Sequence, residues 1–245
     1  MSFERATAGT GIGAEPASAP GSAHTTNVEA ASAAMRLQIL STEHWSLLAS
    51  RSLAWNESFS RAGMFLSTLS GAIVALALVA QASAFGDGFL LFALVILPVV
   101  LFVGLMTVVR LGASNYHDAL CVIGMNRIRG AYLELAPELE KYFVMSGHDD
   151  VPGIGLTMGV APNVNPIVHG LAATPAVIGV LNSVLAAVIA SIAAIELRAG
   201  TTSAVLAGAL VFFLAFTLQA WYGRRDQLRG QALVHPVFPS SPTTR

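Results

Sequence analysis

Four stretches of the chain run apolar without a charged side chain: Ala62–Ala84, Phe89–Val109, Pro175–Ile195 and Thr201–Tyr222. Each holds 21 to 23 residues. As helix that is a rise of roughly 31–35 Å, the thickness of a bilayer's hydrocarbon core. A soluble helix of this length needs one polar stripe to face water, and none of the four has one. In lipid every backbone amide needs an internal partner, which selects helix over open alternatives. The first two segments are joined by a short turn around Gly86-Asp87-Gly88, the last two by the residues around Gly200. The expected fold is all-α: an integral membrane protein with four transmembrane helices arranged as two hairpins, carrying cytoplasmic helical extensions.

The stretches between the spans divide the chain further. Residues 1–25 are mostly Ala, Gly, Ser, Thr and Pro without apolar period, and are expected to be a disordered tail. Gly9 to Gly13 has neither the preceding strand nor the Lys-Ser/Thr ending of a phosphate loop and reads as linker. Thr26 and Glu29 have capping-box spacing and open a helical region, 26–61. Within it Trp45, Leu48, Ser52, Trp55 and Phe59 recur at three- and four-residue steps, an apolar stripe suited to packing against a partner helix. Glu57 and Arg61 form a favourable i,i+4 pair worth about 0.3 kcal/mol. Trp45, Trp55, Arg51 and Glu57 are therefore the candidate partner-docking residues.

The first hairpin is assigned to 62–112 and the second to 175–222. Between them, 113–174, the helical pattern continues from the second span to about Ala136, where Pro137 breaks it and starts a short second helix. Gly147 to Thr174 is then a long Gly- and Pro-rich loop. Residues 223–245 end in Pro, Ser and Thr and read as a flexible tail.

Composition agrees with a membrane protein. Charged residues make up 11% of the chain, far below the quarter or so of soluble domains. A net charge of −1 leaves no nucleic-acid footprint. Arginine-for-lysine usage and abundant alanine are associated with bacterial coding. With both termini inside, twelve of the thirteen basic residues fall on the cytoplasmic side and only Arg198 outside. That asymmetry predicts a multi-pass protein of the bacterial cytoplasmic membrane with both termini cytoplasmic. Cys121 is the single cysteine, so no intramolecular disulfide forms.

Candidate chemistry is sparse. Gly63, Ser67, Gly71 and Ala75 in the first span, and Gly179, Ser183, Ala187 and Ser191 in the third, place a small residue at every fourth position. Such rows let helices approach closely in lipid, within one chain or between copies. Asn182 is the polar side chain most interior to span three, suited to an interhelical hydrogen bond. His117-Asp118 and His148-Asp149-Asp150 hold metal-capable side chains, but adjacent residues diverge on a helix and no third ligand has diagnostic spacing. No metal, cofactor or nucleophile–base pair is expected, so an enzyme is not.

At Arg129 to Phe143, with His148-Asp149-Asp150 after it and His44-Trp45, Arg51 and Trp55-Asn56-Glu57 before it, the chain resembles a group of uncharacterised bacterial multi-pass membrane proteins. The likeness covers roughly 37–152 and the spans, and implies no activity. It also resembles, more distantly, the two-span bacterial effectors of the SLATT type, which implies membrane pores. This chain departs from them by its second hairpin.

Three functions follow from the pattern: an oligomeric ion channel or pore, a membrane-anchored scaffold that docks a cytosolic protein, and a transporter or intramembrane enzyme. Coupled transporters keep ionisable residues in their spans, and none occurs here. The expected partners are the lipid bilayer, further copies of the chain and a cytosolic protein.

Overall fold

The computed structural model describes residues 20–160, 170, 173–232 and 235–240. The expectations for 1–19, 161–169, 171–172, 233–234 and 241–245 lie outside the described residues. Among the described residues five α-helices and one 3-10 turn are traced in order: α1 Pro20–Ser83, α2 Asp87–Leu135, the 3-10 turn Pro137–Tyr142, α3 Val151–Thr157, α4 Thr174–Glu196 and α5 Thr201–Ala232. No strand occurs among the described residues. α1, α2, α4 and α5 are each long and apolar enough to cross a membrane.

Contacts separate the chain into two units, Met1–Thr42 and Glu43–Arg245. In the first, Met35, Leu37 and Ile39 of α1 are exposed. All the packing below belongs to the second.

Helix α1 departs from the expected boundaries. Its described part already includes Pro20, ahead of the expected Thr26 cap. Residues 20–25, assigned to a disordered tail, are helical. The division at residue 61 is no break either, because neither Pro nor paired glycines interrupt 26–83 and Gly63 is tolerated singly.

α1 reverses into α2 through Ala84 and Phe85, both with left-handed backbone (φ 48° and 59°), and Gly86. The pairs Arg51–Asp118, Ser58–Ser114 and Glu57–Arg110 all lie across this turn at nearly constant residue sum, so the two helices run antiparallel. α2 continues unbroken past Pro98 to Leu135, where Pro137 stops it. The second reversal, after α4, passes through Arg198 with φ 58°.

The core is one narrow seam. Ala62, Phe65 and Ala72 of α1 meet Ala93, Leu97, Val100 and Leu111 of α2 and Ile178 and Leu185 of α4. Outside it the spans present Leu91, Val95, Phe102, Leu206, Leu210 and Phe213, each more than half exposed. A monomeric soluble protein does not expose a continuous apolar belt of this extent, whereas lipid requires one.

Two loop assignments change. Part of the long loop is helix α3, capped by the Asp150 carboxylate, which accepts the Gly153 amide at 3.0 Å, with Pro152 in its first turn. Of the tail 223–245, expected to be flexible, α5 takes the part up to Ala232. Residues 235–240 are held against the loop before α3, as described next.

Candidate functional site

Three polar layers are spaced along the helices. The first joins α1 to α2 beyond the charge-free spans. Arg51 Nε donates to Asp118 Oδ1 at 2.7 Å, and Trp55 Nε1 donates to the same oxygen at 3.0 Å. The Arg51 guanidinium also stands 5.6 Å over the Trp55 ring. Asp118 is buried, so removal of its partners would leave a charge with little water. One turn nearer the lipid, Ser58 Oγ and Ser114 Oγ share a 2.7 Å hydrogen bond, and Ser114 donates on to the Ala54 carbonyl. The Glu57 carboxylate then accepts from both Arg61 and Arg110 at 2.9 Å.

Three of the four expected docking residues, Arg51, Trp55 and Glu57, thus serve contacts within the chain. Trp45 alone has no such role, and it is 67% exposed. Of the aromatic stripe, Trp45, Leu48, Ser52 and Phe59 are exposed, while the Trp55 indole N–H reaches Asp118 on α2. Helix α1 packs on α2 through Leu47, Arg51, Ala54 and Ser58 instead. A small-residue face lets two helices come close enough for short polar side chains to meet across them.

The second layer lies within the spans. Asn182 is fully buried, and its Nδ2 donates to Gln219 Oε1 of α5 at 3.4 Å. Gln219 Nε2 in turn donates to the Gly179 carbonyl and Ser183 Oγ, both at 3.2 Å. Ser183 Oγ donates to the Gly179 carbonyl one turn back at 2.8 Å. Gly179, Asn182 and Ser183 therefore act together, as the row of small residues on α4 packs against neighbours in the same chain. Asn182 Oδ1 has no hydrogen-bond partner among the described residues. It faces Gly104 of α2, where an added Cβ would overlap it and would come within 2.7 Å of the Phe65 ring. The Cα–H of Gly104 is left as its neighbour, a weak donor of the kind common where helices cross closely.

The row on α1 is different. Gly63, Ser67 and Gly71 are exposed, and a Cβ at either glycine would meet nothing within 4 Å.

The third layer is a clasp between the end of α2, the loop before α3 and residues 235–240. Asp149 is fully buried. Its carboxylate accepts the Val237 amide at 2.9 Å, the Phe238 amide at 2.8 Å and Arg127 Nε at 2.6 Å. Arg127 reaches on to the His235 carbonyl at 2.8 Å, and the Asp149 amide donates to the Phe238 carbonyl at 3.2 Å. Asp150 accepts the Ser240 amide at 2.8 Å and its hydroxyl. Burial alone would push the Asp149 carboxyl up. The Val237 amide, Arg127 and the Phe238 amide outweigh it and hold the group below the ordinary carboxylate range. Asp150 behaves likewise: burial raises it, and the Ser240 hydroxyl and amide, the Gly153 amide and nearby His148 bring it below.

Beneath the clasp, Asn126 is fully buried and hydrogen-bonded through both its side-chain nitrogen and oxygen. Its Nδ2 donates to the His148 carbonyl at 2.8 Å, while its Oδ1 accepts from Arg129 and from Thr157 of α3. Gly130 is required here by close approach, since a Cβ would stand 2.8 Å from the Phe238 ring.

The sequence placed Asp149 and Asp150 only as metal-capable side chains; their lone pairs are taken by backbone amides and an arginine. Two signals that the sequence reading passed over bear on the clasp. One is Asp150 before Val-Pro, a helix-start pattern; the other is His-Pro-Val-Phe-Pro, more apolar than a solvated tail. Comparison with protein families, with curated proteins and with solved structures finds no match for this chain.

Proposed function

We propose that the chain is an integral membrane protein of four spans, set in the bacterial cytoplasmic membrane with both termini inside, that associates with copies of itself into an ion channel. The observation that carries this reading is the unoccupied Gly63–Ser67–Gly71 face of α1. Glycine in a helix costs about 1 kcal/mol relative to alanine. Elsewhere in the spans the chain recovers that cost in contact: Gly104 and Gly208 both abut neighbouring side chains. At Gly63 and Gly71 only a further chain provides it. The polar side chains of the second layer are turned toward one another between α4 and α5, so the conduction path runs between copies. Hydroxyls and apolar constrictions are sufficient lining for such a path.

The test compares wild type with the double variant Gly63→Leu/Gly71→Leu in nanodiscs and liposomes. Wild type is expected to run as a defined oligomer and to pass potassium, and the variant to run as a folded monomer and to lose the flux. Flux no greater than from empty vesicles, with insertion verified, overturns the channel. An oligomer unaffected by the variant overturns the interface.

A second reading, the membrane-anchored scaffold, draws on the exposed apolar side chains of α1 beyond the span, where Trp45, Leu53 and Phe59 are each at least 62% exposed. It predicts a cytosolic protein that binds wild type and is lost from Trp45→Ala/Trp55→Ala.

A further inference from the structure

Beside the clasp, where α2 ends, the chain forms a groove of about 440 Å3 between α2, the 3-10 turn, α3 and residue 238. Leu133, Phe143, Leu156 and Phe238 make its apolar lining, and Glu134 and Glu140 stand on its edge. Its volume lies within the range of small-ligand and peptide-anchor sites.

Three features define what fits it. The edge is acidic and unanswered: Glu134 and Glu140 are exposed, and neither has an ion-pair partner among the described residues. Glu138 adds a third exposed carboxylate on the same 3-10 turn, against the single cation Lys141, which stands over the Tyr142 ring. The apolar surface is open to solvent at the groove's edge, where Val144 of the lining is 87% exposed, and continues beyond it at Tyr142, 69% exposed. Finally, the wall is fixed in advance, because the clasp on Asp149 holds the backbone of Phe238 and the ring rests on Gly130. A pre-ordered wall lowers the entropic cost of binding.

We infer that this groove docks a basic amphipathic segment of a soluble partner, with an apolar or aromatic side chain seated between Phe143, Leu156 and Phe238 and flanking Arg or Lys residues facing Glu134 and Glu140. A membrane surface is the wrong occupant. The groove lies roughly 30 Å along α2 beyond Arg110, and anionic headgroups would meet its carboxylates with like charge. The inference is independent of ion conduction, since it needs only the folded end of α2.

Full-length protein in nanodiscs is titrated into three fluorescein-labelled hexapeptides, followed by fluorescence anisotropy: Arg-Arg-Leu-Phe-Lys-Arg, the same peptide with Ser-Ser at its centre, and Glu-Glu-Leu-Phe-Glu-Glu. The first is expected to bind saturably and the other two to bind at least several-fold more weakly. Glu134→Gln/Glu140→Gln should weaken the first peptide about fivefold, as expected for two exposed pairs. Phe238→Ala should weaken it through the apolar contact while leaving its salt dependence intact. Both carboxylates are exposed and unpaired, so the double variant is expected to melt like wild type. Equal binding of the Ser-Ser peptide, equal binding of the acidic peptide, indifference to the double variant or absence of saturable binding each overturns the proposal.

Discussion

The side-chain oxygen of Asn182 occupies the space that any side chain at Gly104 would need. These two residues set the distance between α2 and α4 within the spans. Gly104→Ala should therefore force the helices apart or rotate Asn182 off Gln219, at about 1–3 kcal/mol. Thermal unfolding in detergent checks this. Gly223→Ala on α5, where the added methyl meets open space, is the control and should not lower the melting temperature.

Asp118 is the point through which α1 and α2 are tied beyond the lipid. Asp118→Asn removes the charge while it keeps the shape, leaving Arg51 without its ion pair. A loss of about 2 kcal/mol is expected, the usual cost of a hydrogen bond to a charged group. Trp55 supplies a local readout, since its indole N–H bonds the same oxygen and its fluorescence should shift in the variant.

The clasp should open in acid. Asp149 and Asp150 both titrate below their ordinary values in the folded chain. A depressed carboxylate contributes stability that is present above its unfolded pKa and disappears as pH falls through the folded one. The clasp is thus intact at neutral pH and weakens only below about pH 4. Hydrogen exchange at the Val237 and Phe238 amides follows it directly. Protection should be constant from pH 5 to 8 after correction for intrinsic rate, and Asp149→Asn should reduce it at pH 7.

Topology is checked by thiol labelling in a Cys121→Ser background. A membrane-impermeant maleimide applied to whole cells should modify Gly88→Cys and Gly200→Cys, which the proposed orientation places outside, and spare Tyr142→Cys until the cells are opened. The reverse pattern overturns the orientation.

How much of this was legible in the sequence depends on the scale of each interaction. The spans were, because uninterrupted apolar length is a property of the chain itself. So was the stop at Pro137, which acts on its own residue and its neighbours. The direction of α1's faces was not. Periodicity shows that Trp45, Trp55 and Phe59 share a side, but which side meets α2 is decided by Ala54, Ser58 and Ser114, small residues that permit contact rather than advertise it. Asn182 was visible as a polar residue in lipid, whereas its fit against Gly104 depends on a partner 78 positions away. The clasp was least accessible, since Asp149 binds backbone amides of Val237 and Phe238, and an amide leaves no trace in residue identity.

α2 runs for 49 residues without a break. It carries Gly104 among the lipid-level contacts and Asn126 and Arg127 beneath the clasp on one stiff rod, roughly 73 Å from end to end. A rod has no place to lose a rotation. The contacts at Gly104 and at Arg127 therefore share one unbroken backbone, with no loop between them to absorb a turn of the helix.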